Sequence, residues 1–396
     1  MTTEKVLLEG LTLENFGIEL FAREAQIFRS KRFGLEDIEG TPITRDIIAR
    51  QKSAYDAAPD PYEALKNIST QRLLRELIER WHWKEGRMDI LERLQEPGPF
   101  ERRHGEDGRL DGFELDNLLK KFDLGELLGS FAKTFISRAR ENAKCTALVL
   151  REQDMEQNGE YYRLKTKFFK DALLNLHDKE PFRDQTVIDG DALTGFLVEE
   201  NVIATVRHGI AGEDVERLRF VFGYEMKDSR TSNIYIPQKD VYKGKKIIDK
   251  SPVGVDSDWA LFEIDPPANN RKTATLSKEK VFFKDGVYVW GFPILLPLKF
   301  AGGAYVCDDS SDIYFMANAD IYEGNSGSPV FRSDTHEVVG IAASLHGSSK
   351  HLSDMELAEN YYRTRHLPMD CSLGGAKFTR VSEFTDVLKR YKEENP

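Results

Sequence analysis

The residues best suited to chemistry lie in the run Gly-Asn-Ser-Gly-Ser-Pro-Val-Phe at 324–331. This composition predicts a tight, glycine-flanked turn that presents Ser326 and then leads into a strand. Small residues on both sides let two backbone N–H groups, those of Gly324 and Ser326, approach one point and bind the oxyanion of a tetrahedral intermediate. A serine hydroxyl is a weak nucleophile at neutral pH, so this chemistry also needs a base and an orienting carboxylate.

A candidate base is His208, which follows two apolar segments, residues 193–198 and 202–206, separated by a polar turn. A candidate orienting carboxylate is Asp258, which stands just before an apolar run. The chain order is then His, Asp, Ser, one of the orders in which such triads occur. Taken singly, Ser326 could be a turn residue, His208 a surface histidine and Asp258 a strand-end cap. Their joint occurrence at strand boundaries favours the catalytic interpretation.

Short β-rich segments separated by turns begin near residue 145. Because His208, Asp258 and Ser326 all lie in this part of the chain, these segments position the three side chains. Such spacing is typical of antiparallel barrels. A C-terminal helix is predicted over about 382–394. The clearest strand predictions are residues 146–150, 196–198, 287–290 and 313–316.

The first third of the chain has a helical pattern instead. Residues 69–81 start with an N-cap serine and place apolar residues one turn apart, which predicts an amphipathic helix. A capping-box-like start and apolar residues at helical spacing predict another helix over 123–135. Several prolines divide this region into short helices. We therefore expect a helical N-terminal domain, residues 1–142, followed by a second domain, residues 143–396.

Together, the three candidate segments resemble the trypsin-like (chymotrypsin-fold) serine peptidases over roughly residues 143–392. The form of the serine motif is closest to that of the bacterial branch that includes the glutamyl endopeptidases. Val-Trp-Gly-Phe-Pro at 289–293 is similar to the family's Gly-Tyr/Phe-Pro strand end, and Val-Val-Gly-Ile-Ala at 338–342 is similar to a segment that flanks the serine.

The resemblance implies a multidomain α+β protein in which a helical domain precedes an all-β peptidase domain of two six-stranded barrels. His208 and Asp258 would come from the first barrel and Ser326 from the second, with the triad in the cleft between them. The implied activity is hydrolysis of peptide bonds in a protein or peptide substrate through an acyl-enzyme. The implied oxyanion hole uses the N–H groups of Gly324 and Ser326, and no metal or organic cofactor is required.

Two departures from the family pattern affect the functional interpretation. The histidine segment is Thr-Val-Arg-His-Gly at 205–209, so the bulky, charged Arg207 adjoins the base. This favours an alternative, an inactive or weakly active peptidase-fold scaffold that binds a protein partner through its helical domain. Asn325 replaces the aspartate that, in the animal digestive members, pairs with a newly freed N-terminus. That route of activation is therefore not implied.

Specificity is encoded less clearly than catalysis. Asp320 lies six residues before Ser326, where trypsin-like members place the carboxylate that selects Lys or Arg, although glutamyl endopeptidases can also carry aspartate there. Ala342 stands where those endopeptidases have a histidine that binds an acidic side chain. The resemblance thus favours a basic or uncharged residue before the cut, and the alternative is that Asp320 is a turn residue.

Composition limits the expected partners and the expected cellular location of the protein. The 396 residues are 40% hydrophobic and 31% charged, and their net charge of −11 comes with no basic block, so nucleic acid or an anionic membrane is not an expected partner. Three cysteines and an N-terminus without an apolar signal core predict a cytosolic protein. A secreted peptidase with a helical pro-region is the alternative. In the cytosol, residues 1–142 are the expected regulator.

Overall fold

The computed structural model describes residues 109–121, 125–172, 176, 180, 182–210, 212, 214–347, 355–358, 361–364 and 374–395. Within those ranges the α-helices are α1 (Gly112–Lys121), α2 (Gly125–Ala143), α3 (Phe169–Ala172) and α4 (Ser382–Glu394). The strands are β1 (Arg109–Asp111), β2 (Thr146–Arg151), β3 (Met155–Asn158), β4 (Tyr161–Leu164), β5 (Thr166–Phe168), β6 (Thr186–Ile188), β7 (Ala192–Glu199), β8 (Val202–Thr205), β9 (Leu218–Val221), β10 (Tyr235–Pro237), β11 (Val241–Lys250), β12 (Ala260–Asp265), β13 (Gly286–Gly291), β14 (Lys299–Asp308), β15 (Tyr314–Ala317), β16 (Pro329–Arg332), β17 (Val338–Gly347), β18 (Met355–Ala358), β19 (Tyr361–Thr364) and β20 (Gly374–Arg380).

The first barrel closes in the strand order β11-β12-β8-β7-β2-β9, with antiparallel pairing throughout. Its strands are rich in β-branched and aromatic residues, which fit the pleated surface of a buried sheet. Phe196, Phe220 and Phe262 are fully buried, and the rings of Phe220 and Phe262 lie 5.8 Å apart. These side chains fill the barrel, so that the strand ends bearing His208 and Asp258 rest on a packed core.

The second barrel runs β14-β13-β16-β17-β20-β15 and closes where β15 pairs with β14. Val287, Val289, Phe315 and Phe378 belong to its separate, fully buried core. Two closed six-stranded barrels confirm the double-barrel prediction. Strand β1 pairs with the starting end of β14, so that the sheet has seven strands, six of which form the closed barrel.

Helix α2 packs against the second barrel, and α4 packs against the first. The indole N–H of Trp290 donates to the Ala139 carbonyl (2.9 Å), and the Asn142 amide donates to the Tyr288 hydroxyl (3.0 Å). At the other end of the chain, the Phe384 ring lies 5.9 Å from that of Trp259. The predicted C-terminal helix is thus confirmed as α4.

Most strand predictions are confirmed within one or two residues, and the predicted 313–316 strand is β15, which begins one residue later. The predicted 123–135 helix corresponds to α2, whose capping residues lie outside the described part of the chain, as does the predicted helix at 69–81. Residues 109–143 contain a strand and two helices. Since residues 1–108 are not described, the division at 142/143 stays a prediction.

Candidate active site

The turn that carries Ser326 connects β15 to β16, and two of its glycines have backbone angles that favour glycine. Gly324 has φ +91° and Gly327 has φ +90°. A Cβ on Gly327 would overlap the carbonyl oxygen of Thr194, and one on Gly324 would overlap that of Phe292. The turn therefore lies directly against both the first barrel and the segment that follows β13.

Thr194 of β7 attaches this turn to the first barrel. Its N–H donates to the Ser326 carbonyl (2.9 Å), and its hydroxyl donates to the Gly324 carbonyl (2.7 Å). In turn, the Thr205 hydroxyl of β8 donates to the Thr194 carbonyl (2.6 Å). Both threonines are fully buried. The sequence interpretation treated Thr194 only as part of a strand, and the one signal for it was a polar residue within an apolar run.

Hydrogen bonds to the preceding carbonyl groups fix the orientation of the peptide bonds before Gly324 and Ser326. The Glu323 carbonyl accepts from the Ile294 N–H (2.6 Å), and the Asn325 carbonyl accepts from the Ser328 N–H (2.8 Å). In a trans peptide the N–H points opposite to the C=O, so the N–H groups of Gly324 and Ser326 face away from these donors. Within the described residues neither N–H donates a hydrogen bond. Both are available to an oxygen anion.

His208 and Asp258 are in direct contact. His208 Nδ1 lies 2.5 Å from Asp258 Oδ2, while Asp258 Oδ1 accepts from the N–H groups of Arg207 (2.9 Å) and His208 (3.1 Å). An ionised carboxylate only accepts, so in the neutral form of the imidazole Nδ1 carries the proton and Nε2 has the lone pair. The Asp258 N–H donates to the Thr379 hydroxyl of β20 (3.1 Å), which connects this pair to the second barrel.

The environment of Asp258 keeps it ionised. Burial alone would raise the pKa of Asp258, but the hydrogen bond and charge of His208 and the two backbone donors outweigh it and hold the pKa below its usual range. The side chain of Asp258 is 20% exposed, whereas that of His208 is 48% exposed. The pair thus has a protected carboxylate and a histidine that substrate can reach.

The serine turn and the His208–Asp258 pair both adjoin the hairpin formed by β7 and β8. Ser326 is bonded to β7 through Thr194, and His208 begins the short 3-10 helix that follows β8. Among the described residues, no hydrogen bond joins Ser326 Oγ to His208. In proteins without substrate such bonds are often long and tighten when the complex forms.

The predicted specificity residues lie in and beside this turn. Asp320 is 2% exposed, in the loop after β15. Ala342 of β17 is 1% exposed, and its backbone groups bond those of Gly327 (2.8 Å) and Ser328 (2.9 Å). The Asn325 side chain is also buried, and its Oδ1 accepts from the Ser328 hydroxyl (3.3 Å).

Elsewhere in the described part of the chain, no group of three or more His, Cys, Asp or Glu side chains is placed to hold a metal ion. The helices of that part also include none with the length and apolar character needed to span a bilayer.

A family model described as "Trypsin-like peptidase domain" matches residues 193–341, the stretch that contains His208, Asp258 and Ser326. With the two closed barrels, this match shows the trypsin-like serine protease fold and supports a hydrolase of the peptidase class. A search of the curated proteins found no match.

Several solved structures are similar to the chain at low identity. The serine endoprotease from Yersinia pestis is 13% identical, with a TM-score of 0.38, and the match covers 65% of this chain and 65% of that one. The Rv3671c protease from M. tuberculosis, in its active form, is 11% identical, with a TM-score of 0.35, over 64% of this chain and 82% of that one. An inactivated protease paralogue from the scabies mite is 16% identical, with a TM-score of 0.38, over 52% of this chain and 88% of that one.

Proposed function

We propose that this protein is a serine endopeptidase whose triad is His208, Asp258 and Ser326. The observation that carries the proposal is the His208–Asp258 pair, in which a carboxylate with three N–H donors fixes the histidine. Two further features support it: the serine turn lies on the hairpin that leads to His208, and among the described residues the N–H groups of Gly324 and Ser326 donate no hydrogen bond.

In the first half of the reaction, Ser326 Oγ attacks the carbonyl carbon of the scissile peptide bond. His208 Nε2 takes the hydroxyl proton as the C–O bond forms, and Asp258 stabilises the resulting imidazolium. The N–H groups of Gly324 and Ser326 hold the oxyanion. The C–N bond then breaks, and His208 gives its proton to the leaving amine.

In the second half, water enters where the amine has left. His208 takes one proton of this water while the water oxygen attacks the acyl carbon. Collapse of the second tetrahedral intermediate breaks the ester bond, and His208 returns the proton to Ser326 Oγ. The cycle balances with water as the only co-reactant, and it uses no metal or organic cofactor.

The substrate is a protein or peptide, and we propose that it has a basic or uncharged residue before the cut. Asp320 supports a basic preference because it is an acid adjacent to the serine turn, and Ala342 offers no group that would bind an acidic side chain. Digestion of a peptide library by the purified full chain measures this preference, and cuts after Glu would exclude it.

The proposal is tested by replacing the nucleophile. Ser326→Ala removes one hydroxyl and leaves the turn glycines, so peptide hydrolysis should fall by several orders of magnitude with little change in Tm. The matched control is Ser310→Ala, an exposed serine in a loop of the second barrel, which should keep wild-type turnover. Wild-type hydrolysis by folded Ser326→Ala would refute the assignment.

A second candidate function is a scaffold that has the peptidase fold without the activity. It is favoured by the lack of a hydrogen bond between Ser326 Oγ and His208 among the described residues. Arg207, which the sequence offered in favour of a scaffold, donates its backbone N–H to Asp258 (2.9 Å) and so contributes to the environment of the His208–Asp258 pair. A fluorophosphonate probe separates the two functions because it labels only an activated serine.

Location and regulation are further parts of the proposal. Residues 1–142 are the proposed binding region for a regulatory protein partner. A cytosolic location is proposed from the sequence, but Cys307 is disulfide-bonded, which is more typical of exported proteins. Cys145 is free and buried, and burial raises its pKa to about 12. Fractionation of cells that express the full chain decides between the two locations.

A further inference from the structure

Strand β1, which precedes the first barrel in sequence, contacts the serine turn through Arg109. It pairs antiparallel with the start of β14, with Arg109 opposite Ala301 and Asp111 opposite Lys299. All three of its residues are fully buried, although two of them are charged. A buried charge is costly unless it is paired, so each must have a specific partner.

The guanidinium of Arg109 lies between two aromatic rings. Its Cζ is 4.6 Å from the ring centroid of Tyr322 and 5.2 Å from that of Phe182, and its Nη2 is 3.7 Å from a carboxylate oxygen of Glu180. A desolvated cation over an aromatic ring is attracted by the electrons of the ring face. Arg109 therefore holds the Tyr322 ring in place.

Tyr322 belongs to the serine turn itself. It lies four residues before Ser326, it is 4% exposed, and its carbonyl accepts from the Asn325 N–H (2.9 Å). A shift of the Tyr322 ring would move this hydrogen bond. Gly324 and Ser326 would move with it.

Asp111 fixes the other end of β1 to the start of β14. Its carboxylate lies 2.5 Å from Lys299 Nζ and accepts from the Gln185 amide (2.6 Å). This buried cluster anchors β1, so that Arg109 is held in its position against the Tyr322 ring.

We infer that β1 is a built-in support of the active site and that Arg109 is a positioning residue, which acts on Ser326 and Gly324 through the ring of Tyr322. The inference rests on the proposed peptidase function. It assigns a catalytic consequence to a segment that lies outside the matched family region, 193–341.

The test uses the full chain and separates kcat from KM. Arg109→Met removes the cation and keeps a long apolar side chain, so kcat should fall by about 10- to 100-fold, as expected when oxyanion donors are displaced, while KM changes by less than about threefold. Arg109→Lys keeps a cation over the ring and should recover most of the loss. Tyr322→Leu removes the ring and should resemble Arg109→Met.

The matched control is Arg332→Met. Arg332 is also largely buried and ion-paired, with Asp285 at 3.5 Å, but it lies at the end of β16 away from Ser326. It should lose stability comparably and keep kcat within about twofold. Equal losses of kcat in the two methionine variants would overturn the inference, as would an unchanged kcat in Arg109→Met. The Arg109→Met, Tyr322→Leu double variant gives a further check. If its fold-loss of kcat equals the product of the two single fold-losses, the two residues act independently and the inference is overturned.

A second measurement does not depend on activity. In Arg109→Met, and not in Arg332→Met, exchange of the Asn325 and Gly327 amides, which donate to the Tyr322 and Ala342 carbonyls, should accelerate by about tenfold or more, because the turn opens locally. Unchanged exchange would overturn the inference even for a protein that cleaves peptides. If the wild type neither cleaves peptides nor reacts with a fluorophosphonate, the proposed function fails separately, and the exchange data still show whether β1 supports the turn.

Discussion

Asp258 has a single chemical role that its surroundings define. One oxygen contacts His208 Nδ1, and the other accepts from two backbone N–H groups. All of these partners favour the ionised form, so the pKa of Asp258 is lowered. The acidic limb of the pH–rate profile should therefore not arise from protonation of Asp258 above about pH 4.

We expect Asp258→Asn to lower kcat/KM by about 10⁴-fold at neutral pH, because an amide stabilises the wrong histidine tautomer. Turnover of a peptide substrate and the Tm of the purified variant check this. The control is Asp256→Asn, since Asp256 is two residues away and its carboxylate contacts Lys377 (2.8 Å) rather than the histidine. Normal turnover in a folded Asp258→Asn variant would assign the orienting role to another carboxylate.

For single residues, the sequence predicts the candidate reacting side chains but not the residues that hold them in place. The pairing of His208 with Asp258 was predicted, and the structure shows the contact. Their catalytic roles, like that of Ser326, stay predictions. The supporting residues Thr194 and Thr379 could not be predicted, because a threonine in a strand has no pattern that tells which distant backbone group its hydroxyl will meet.

Among the elements, β11, β12 and α4 meet at one buried carboxylate. Glu263 of β12 contacts Lys245 and Lys246 of β11, and Lys246 Nζ lies 5.8 Å from the ring centroid of Tyr391 of α4. Burial alone would raise the pKa of Glu263, but the hydrogen bonds of these lysines outweigh it and lower the pKa to about 2. The ionised carboxylate therefore stabilises the packing of α4 on the first barrel.

We expect Glu263→Gln to lower the free energy of unfolding at neutral pH by up to about 3 kcal/mol. Because the pKa in the folded state is depressed, the wild-type advantage is complete above the unfolded-state pKa, near 4.5, and disappears as the pH falls toward 2. Urea titrations at pH 7 and pH 3 measure it. Asp191→Asn, in an exposed ion pair, should change little at either pH. A pH-independent effect of Glu263→Gln would contradict the assignment.

The barrel strands and α4 were predictable because their apolar periodicity is local, whereas β1 was not. Its three residues, Arg-Leu-Asp, include two charges and have no strand pattern. Their burial depends on partners such as Lys299 and Tyr322, which are distant in sequence. Tertiary context determined this element, and local propensity did not.

For the molecule as a whole, residues 109–143 cover one side of the second barrel. The β13 residues Trp290 and Tyr288 are fully buried, and they bond α2 through Ala139 and Asn142. A chain that starts at residue 144 would expose both rings and leave their polar groups without these partners.

We therefore expect a chain starting at residue 144 to lose several kcal/mol of stability or to aggregate. Soluble yield and urea titrations of this truncation, beside the full chain, are the measurements. Equal midpoints for the two would place the domain boundary at 142/143, as the sequence suggested, and would contradict a stabilising role for α2.

The pairing of β1 with β14 also has a consequence for synthesis on the ribosome. Asp111 and Lys299 are 188 residues apart, so at about 5–20 residues per second β1 waits roughly 10–40 s before its partner is translated. During that interval its two charges are solvated, and they protect the unpaired strand from sticking to other chains. The nascent protein therefore acquires the support beneath its serine turn only after the first barrel and the start of the second have been translated.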